Sequence, residues 1–390
     1  MMELLCFRDV PVMPVTRMRE HVPLGGPVWP EFERQTAARF CYSGRPADSA
    51  PPLRKPVRQF RRPALWGGYL SHEFGHLVAE HITRLLPAVS QRDTDVVLFT
   101  LPTGTPPEAL APWVHQVFDW LTMPARRARF VTEPSLAPEL RVCAQGEMLG
   151  GTAPDPAYLD LLDALPARHG LGSQPRLPLV YVSRAGLVTT GRGGHLGESY
   201  LAGLLAELGV TVIDPGTLPI RAQMQVYARA EALVFAEGSA LHGRQLLGRL
   251  DQDIHVLRRR TGPDAWTAVL TPRCRSLRSH DVVAAHLTVS GRFRGPEHTT
   301  PRELRHLYAT FYDLPALFAA FADLGVPLAR HWNHDAWRAA VLDDALRWLL
   351  AQAAPVTQAL PNLIRLIEQI STPDELLDLA EPPPARSASH

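Results

Sequence analysis

The sequence predicts an α/β fold, and three observations carry the prediction. Between residues 177 and 257, short apolar runs alternate with helical patterns, beginning and ending on a strand. The runs are apolar along most of their length, as expected of parallel strands with helices on both faces. A looser alternation of the same kind occupies residues 63–150. With 390 residues, 46% of them hydrophobic, the chain can fill the cores of two domains.

Residues 1–62 are rich in Pro and Arg with little periodicity and read as an N-terminal arm with a few short strands. Residues 63–170 read as an N-terminal α/β domain. It is expected to hold a helix near 75–90, a strand at Asp95-Val-Val-Leu-Phe-Thr100, a helix near 107–122 and a short strand at 128–131. Residues 151–176, with Arg168-His-Gly-Leu-Gly-Ser-Gln-Pro175, read as the link between domains. Residues 177–290 predict a doubly wound, Rossmann-like domain. Its strands are expected at 179–183, 210–213, 232–236 and 254–257, and its helices at 198–208, 219–231 and 239–249. Residues 300–372 are strongly helical (306–324, 335–354, 360–370), and 381–390 form a polar tail expected to be disordered.

Composition excludes several functions. A formal net charge of +1 argues against a dedicated nucleic-acid binder. Lys55 is the single lysine, so a phosphate site must use Arg, His, hydroxyls or backbone amides. Cys6, Cys41, Cys143 and Cys274 lie far apart with no CxxC pair, which fits a reducing compartment. The start, Met1-Met-Glu-Leu-Leu-Cys-Phe-Arg8, lacks a secretory pattern, and no apolar run approaches the roughly 20 residues that span a bilayer. The expected location is the cytoplasm, at most the inner face of the membrane. Arg58, Arg61, Arg62 and Arg258-Arg-Arg260 offer charge for an anionic membrane or an acidic glycan. The near-neutral total makes a solvated surface the first expectation for them.

Two strand ends point to an anion site. Leu179-Val-Tyr-Val-Ser-Arg184 ends in Ser183 and Arg184, and Leu233-Val-Phe-Ala-Glu-Gly-Ser-Ala-Leu-His242 passes through Glu237, Gly238 and Ser239 into a helical pattern. At the carboxyl edge of a parallel sheet such groups meet ligands, and a helix start there offers free N–H groups. Arg184 can fork onto two phosphate oxygens. Ser239 can cap the helix, and His242, one turn in, either reaches the anion or packs. Gly191-x-Gly193 does not complete G-x-G-x-x-G, because Leu196 holds the last position, so the NAD pattern fails.

In the N-terminal half, His76, Glu80 and Arg84 recur at i, i+4 and i+8, one face of a helix. They fit either an ordinary surface pair or a His base oriented by a carboxylate. His72-Glu73-Phe-Gly-His76 also spells H-E-x-x-H, the zinc-hydrolase helix. Against that reading, Gly75 interrupts the required helix and the metzincin third-ligand positions hold Ala79 and Ile82. The triplets Asp93-Thr-Asp95 and Asp251-Gln-Asp253 precede strands rather than follow them and read as solvated.

These segments resemble the family 61 glycosyltransferases, including bacterial capsular-polysaccharide members. The matching elements are Tyr181-Val-Ser-Arg184, Gly191-Arg-Gly-Gly-His-Leu-Gly-Glu198, Arg221-Ala-Gln-Met-Gln-Val-Tyr-Ala228 and Ala236-Glu-Gly-Ser-Ala-Leu-His242, with Trp66-Gly-Gly-Tyr-Leu-Ser-His-Glu-Phe-Gly-His76 and Glu80 upstream. Coverage is about residues 65–290. Gly197 stands where family members often have Asn, and Ala236-Glu-Gly where they have Gly-x-His-Gly. The resemblance implies a GT-B-like architecture, two Rossmann-like domains facing a cleft, here with extra C-terminal helices. It implies inverting transfer, in surface or capsular polysaccharide synthesis, from a nucleotide-diphosphate sugar (a UDP-sugar first) to a glycan or lipid-linked acceptor, with no metal or other cofactor required. It assigns His76 and Glu80 to catalysis and Arg84 to the acceptor side. Ser183, Arg184, Gly193, His195, Glu198, Gln223, Glu237, Gly238, Ser239 and His242 fall to the donor. A catalytically inactive, glycan- or partner-binding relative is the non-enzymatic alternative.

Overall fold

The computed structural model describes residues 2–19, 22–92, 95–171, 174–288, 293–295, 307–352, 361 and 364. Two separate β-sheets with flanking helices make up most of it. The first half holds β1 (Leu4–Arg19), β2 (Val22–Pro27), a small hairpin of β3 (Cys41–Tyr42) and β4 (Arg45–Pro46), then β5 (Arg58–Gln59), β6 (Ala64–Tyr69), β7 (Val96–Thr100), β8 (Ala128–Val131) and β9 (Ser135–Cys143). Its helices are α1 (Phe74–His76), α2 (Leu85–Gln91), α3 (Pro112–Trp120), α4 (Pro156–Asp163) and α5 (Leu165–Arg168). The sheet runs β2-β1-β9-β6-β7-β8, with β5 also on β9. Strands β9, β6, β7 and β8 are parallel, and β1 is antiparallel to β9.

The second sheet is β10 (Leu177–Val182), β11 (Thr211–Ile213), β12 (Ala230–Ala236), β13 (Asp253–Arg258) and β14 (Ser276–Asp281), all parallel, in the order β11-β10-β12-β13-β14. Its connections carry α6 (Glu198–Glu207), α7 (Ile220–Arg229), α8 (Ala240–Gly243) and α9 (Thr267–Leu270). Alternate strand residues enter different cores. Val180, Val182, Leu233 and Phe235 pack with Ile220, Met224 and Tyr227 of α7. Tyr181, Val234 and Ala236 pack with Leu201 and Leu205 of α6. Both faces are therefore covered, which is why these strands read as apolar runs. The strand order reverses between β10 and β12, so their carboxyl ends open a crevice.

Beyond the sheet lie β15 (Val283–Leu287), β16 (Phe293–Arg294), β17 (Ala309–Tyr312), α10 (Leu314–Ala322), α11 (Leu328–His331) and α12 (His334–Ala351). Phe318, Trp337, Val341 and Trp348 of α10 and α12 extend the core on the α6 face.

Several elements differ from the sequence expectation. Residues 1–62 are not an arm of short strands: β1 is a 16-residue strand inside the first sheet, although Pro11 and Pro14 argue against a strand there. The helix expected at 75–90 is broken. A π turn at Leu77–His81, closed by the Ile82 N–H on the Leu77 carbonyl (3.2 Å), separates α1 from α2. Pro87 lacks an N–H, and starting α2 at Leu85 places it in the first turn, where none is needed. The expected link 151–176 contains α4, started by Pro156 and capped by Asp155, whose side chain accepts from the Ala157 N–H. The helix expected at 239–249 is only the four residues of α8 followed by a 3₁₀ turn, Arg244–Leu246. The stretch 306–324 yields a strand before its helix. The expected helix 360–370, apart from residues 361 and 364, and the tail 381–390 lie outside the described residues. Among the described residues no helix is long and apolar enough to cross a membrane.

The two halves share one core, in which Leu65, Phe99 and Trp120 belong to the same cluster as Val180, Leu233 and Phe235. Trp120 Nε1 donates to the Leu246 carbonyl (2.8 Å), and its ring stacks on His169 at 4.3 Å between centroids. Deepest is the ion pair of Arg273 Nη2 with Glu147 Oε2, 2.8 Å apart, both side chains 0% exposed. Burial raises the Glu147 carboxyl above its ordinary range while Arg273 pulls it back. Removing one partner leaves the other charge buried. Arg273→Met is expected to cost about 3–5 kcal/mol in urea unfolding, with much of the loss recovered in Arg273→Met/Glu147→Leu. Arg249→Ala, which removes an exposed pair with Asp160 and Asp163, should cost less than about 1 kcal/mol.

Candidate functional site

The crevice between β10 and β12 is built around two buried carboxylates. Glu198, at the first position of α6, accepts with Oε1 from Tyr181 Oη (2.9 Å), Ser183 Oγ (3.0 Å) and the Arg184 N–H (2.6 Å). It fixes the end of β10. Burial raises its carboxyl, and those three donors hold it down. Glu237, at the end of β12, accepts with Oε2 from the Arg259 and Arg260 N–H groups (2.6 and 3.0 Å) and pairs with Arg260 Nε at 2.5 Å. Against the opposing effect of burial, the Arg260 and Arg259 charges hold it below the ordinary carboxylate range. Glu198, Glu237 and Ser183 were expected to touch a donor. Their side chains are buried, and Glu198 Oε1, Ser183 Oγ and both Glu237 oxygens are engaged at the strand ends, while Glu198 Oε2 has no partner among the described residues.

What these carboxylates hold out is a group of cations. Arg184 Nε donates to the Gly193 carbonyl (2.6 Å), and the guanidinium lies directly on Gly238. Any Cβ at Gly238 would overlap Arg184 Nη1, so glycine is required there by close approach. Among the described residues neither terminal nitrogen of Arg184 has a hydrogen-bond partner. Burial, with Arg260 and Arg192 acting the same way and Glu198 and Glu237 opposing, lowers its pKa to about 10, so it stays protonated at neutral pH. Arg260 is 36% exposed and Arg192 is exposed. Arg260 and Arg192 therefore repel Arg184 at a strand-order reversal, and the Glu198 and Glu237 carboxylates offset part of that repulsion.

The facing wall comes from the first half. His76 on α1 pairs through Nδ1 with Glu80 Oε1 at 2.5 Å, and Glu73 Oε2 lies 3.5 Å from Nε2. The π turn, not a regular helix, brings Glu80 beneath His76, with Glu80 2% exposed and His76 27%. Gln145 Nε2 on the Glu80 carbonyl (3.0 Å) pins the turn. The His242 ring lies against Gly75, and Ser239, exposed at the start of α8, stands beside it. His242 Nδ1 bonds Gln245 Oε1 (2.6 Å), and burial, with His76 and Arg260 nearby, lowers its pKa to about 4. His76 and Glu80 thus meet His242, and so the second half, across the crevice.

Three expected ligands lie elsewhere. Arg84 is fully buried and donates to the Ala38 and Arg39 carbonyls (2.7 and 2.9 Å), because the π turn shifts it off the His76 face. Gln223 Nε2 donates to the Pro215 and Leu218 carbonyls (both 2.9 Å) and locks the approach to α7. His195 is buried between Thr310 Oγ1 (2.8 Å) and the Leu257 carbonyl (3.4 Å), its ring stacked on Tyr312. Gly193 offers a carbonyl to Arg184, with the Tyr308 carbonyl and Arg259 guanidinium against its Cα.

The H-E-x-x-H reading fails on backbone geometry. Glu73 is extended (φ −97°, ψ 105°), so His72 is not one helical turn before His76. Among the described residues no three His, Cys, Asp or Glu side chains are grouped to hold a metal ion.

Arg192 and Arg260 join the site although no motif singled them out as ligands. Their signal was the excess of Arg in both loops. Asp344 of α12 also matters: its Oδ2 accepts from the Gly197 N–H (2.8 Å) and from Ser199 Oγ (3.4 Å), filling the start of α6. Gly197 is left-handed (φ +78°), with Trp337 and Val341 of α12 where a Cβ would lie. Asn tolerates that φ better than most residues, but here α12 leaves room only for Gly.

His195 supplies a pH test. Burial, with the Arg259 charge, lowers it from 6.5 to about 3, so the unfolded chain binds its proton first as pH falls. The stability held by its neutral form is complete above pH 6.5 and drains between 6.5 and 3. From pH 7 to pH 5 the wild type should lose about 2 kcal/mol more than His195→Gln, measured by urea unfolding at both values.

No curated protein matches the chain. Residues 74–244, which span His76, Arg184 and His242, match the family model described as Glycosyltransferase 61. The chain contains a glycosyltransferase 61 domain.

Proposed function

We propose that the protein is an inverting glycosyltransferase of GT-B type, its two sheets the two halves of the enzyme. It moves a sugar from a nucleotide-diphosphate donor, a UDP-sugar first, to a glycan or lipid-linked acceptor, in surface or capsular polysaccharide synthesis. One observation carries the reading: Arg184, Arg192 and Arg260 converge at the β10/β12 crevice beside a His–carboxylate pair from the other half. The guanidinium groups would take the diphosphate, with Gly238 giving Arg184 room and Ser239 exposed beside it.

In this reading His76 is the base. With Nδ1–H on Glu80, Nε2 is the basic nitrogen of the neutral ring. The acceptor oxygen attacks the anomeric carbon opposite the diphosphate. Its proton passes to Nε2, and the carbon–oxygen bond to the β-phosphate breaks with its electron pair on the leaving oxygen. Glu80 stabilises the imidazolium formed, and the guanidinium groups the departing charge.

Thermal unfolding with UDP, GDP or CMP, and turnover of the matching sugar nucleotide, test this. A nucleoside diphosphate at about 100 times its Kd should add about 2.7 kcal/mol of stability. Arg184→Ala should abolish that gain. His76→Asn should keep it and lower kcat by about 10²–10⁴-fold. Binding in the wild type without turnover of any donor would leave a transferase-like binding protein. No binding would overturn the donor site itself.

A further inference from the structure

The two basic segments noted in the sequence have different fates. Arg258-Arg-Arg260 is engaged inside the protein: Arg259 is buried, Arg260 pairs with Glu237 and Arg258 with Asp281. The segment before β6 is not. Residues 52–59, 61 and 62 are all exposed, and they carry Arg54, Lys55, Arg58, Arg61 and Arg62 with no acidic residue between Asp48 and Glu73. Among the described residues none of the five is in an ion pair. Arg58 rests over the Phe60 ring at 4.9 Å. The nearest acid in the pairing is Glu133, exposed beside Pro134.

The segment is held in one extended shape. The Val57 and Phe60 N–H groups donate to the Pro134 and Leu136 carbonyls (both 2.9 Å), and Phe60 is buried. Pro51, Pro52, Pro56 and Pro63 restrict the remainder. Between the cations, Leu53 is 58% and Val57 69% exposed, two of the five exposed large apolar side chains among the described residues. Cations alone would suit any polyanion. Cations interleaved with bare aliphatic side chains suit a surface whose charged layer covers hydrocarbon.

We propose that residues 52–62 dock the protein on an anionic lipid bilayer, the cations on headgroup phosphates and Leu53 and Val57 in the interface. This goes beyond the transferase reading and does not rest on it. Strand β5 lies along the amino-terminal end of β9, whereas His76 follows the carboxyl end of β6, so docking leaves the crevice open.

The test is sedimentation of the full chain with vesicles of phosphatidylcholine alone or with 30% phosphatidylglycerol, at roughly physiological salt. Wild type should pellet only with the anionic vesicles. A basic side chain near such a surface is worth roughly fivefold in partition, so Arg54→Gln/Lys55→Gln/Arg61→Gln/Arg62→Gln should lower it at least tenfold. Leu53→Ser/Val57→Ser should lower vesicle binding several-fold and leave binding to dextran sulfate unchanged. Unaltered unfolding midpoints and UDP responses would show both variants folded. Wild type remaining in the supernatant, or the charge variant pelleting like wild type, would overturn the proposal. Full vesicle binding by the serine variant would also overturn it, leaving a site for soluble acidic polymers.

Discussion

The buried Arg273–Glu147 pair is the constraint on which the site depends. A charge pair at 0% exposure tolerates little displacement, because separation would leave two desolvated ions. Its neighbours carry that rigidity outward. The Glu147 carbonyl accepts from Thr83 Oγ1 (2.8 Å), just past the π turn that holds Glu80. The Arg273 carbonyl accepts from Arg244 Nη2 (3.0 Å), two residues after His242. One ion pair therefore fixes the His76–Glu80 turn of one half against the His242 turn of the other. The common core and the hydrogen bond from Trp120 Nε1 to the Leu246 carbonyl also hold the sheets together, but the core's apolar contacts specify distance less sharply.

The second sheet was legible because its physics is one-dimensional. Strands buried on both faces must be apolar runs, and 232–236, 254–257 and 179–183 are such runs, found within a few residues of β12, β13 and β10. The first sheet was legible only in part: the strands expected at 95–100 and 128–131 are β7 and β8, and the others hid themselves. Strand β6 is Ala-Leu-Trp-Gly-Gly-Tyr, which reads as a glycine loop, and β9 and β1 contain prolines. The π turn could not be read at all. Its i, i+5 bond answers to Thr83, Gln145 and Pro87, which are tertiary or downstream features. The same turn aligns His76 with Glu80 and removes Arg84, so half of one spacing argument survives.

The donor-site residues divide by a rule the sequence does not display. Ser183, Glu198 and Glu237 sit at the strand ends where ligand groups are sought, yet Ser183 Oγ, Glu198 Oε1 and both Glu237 oxygens are spent on backbone or side-chain partners, and among the described residues only the buried Glu198 Oε2 has none. Strand ends at a crevice carry unsatisfied N–H groups whether or not a ligand comes, and buried carboxylates are a common way to satisfy them. Arg184 differs from them in that its Nε is used while its terminal nitrogens have no hydrogen-bond partner among the described residues.

That division explains the weight placed on arginine. In a doubly wound sheet the start of the first crossover helix is the usual anion seat. Here Asp344 of α12 already occupies the start of α6. The alternative start, at α8, is four residues long and has little dipole to offer. With both helix ends spent or short, positive charge in the crevice has to come from side chains. The chain's one lysine, Lys55, is in the first half, so that charge comes from Arg184, Arg192 and Arg260. They are placed differently: Arg184 on the Gly193 carbonyl, Arg192 in the loop just before Gly193 and Arg260 on Glu237. The C-terminal helix α12, outside the family match, thus fills a helix start of the matched segment and leaves the crevice's positive charge to its guanidinium groups.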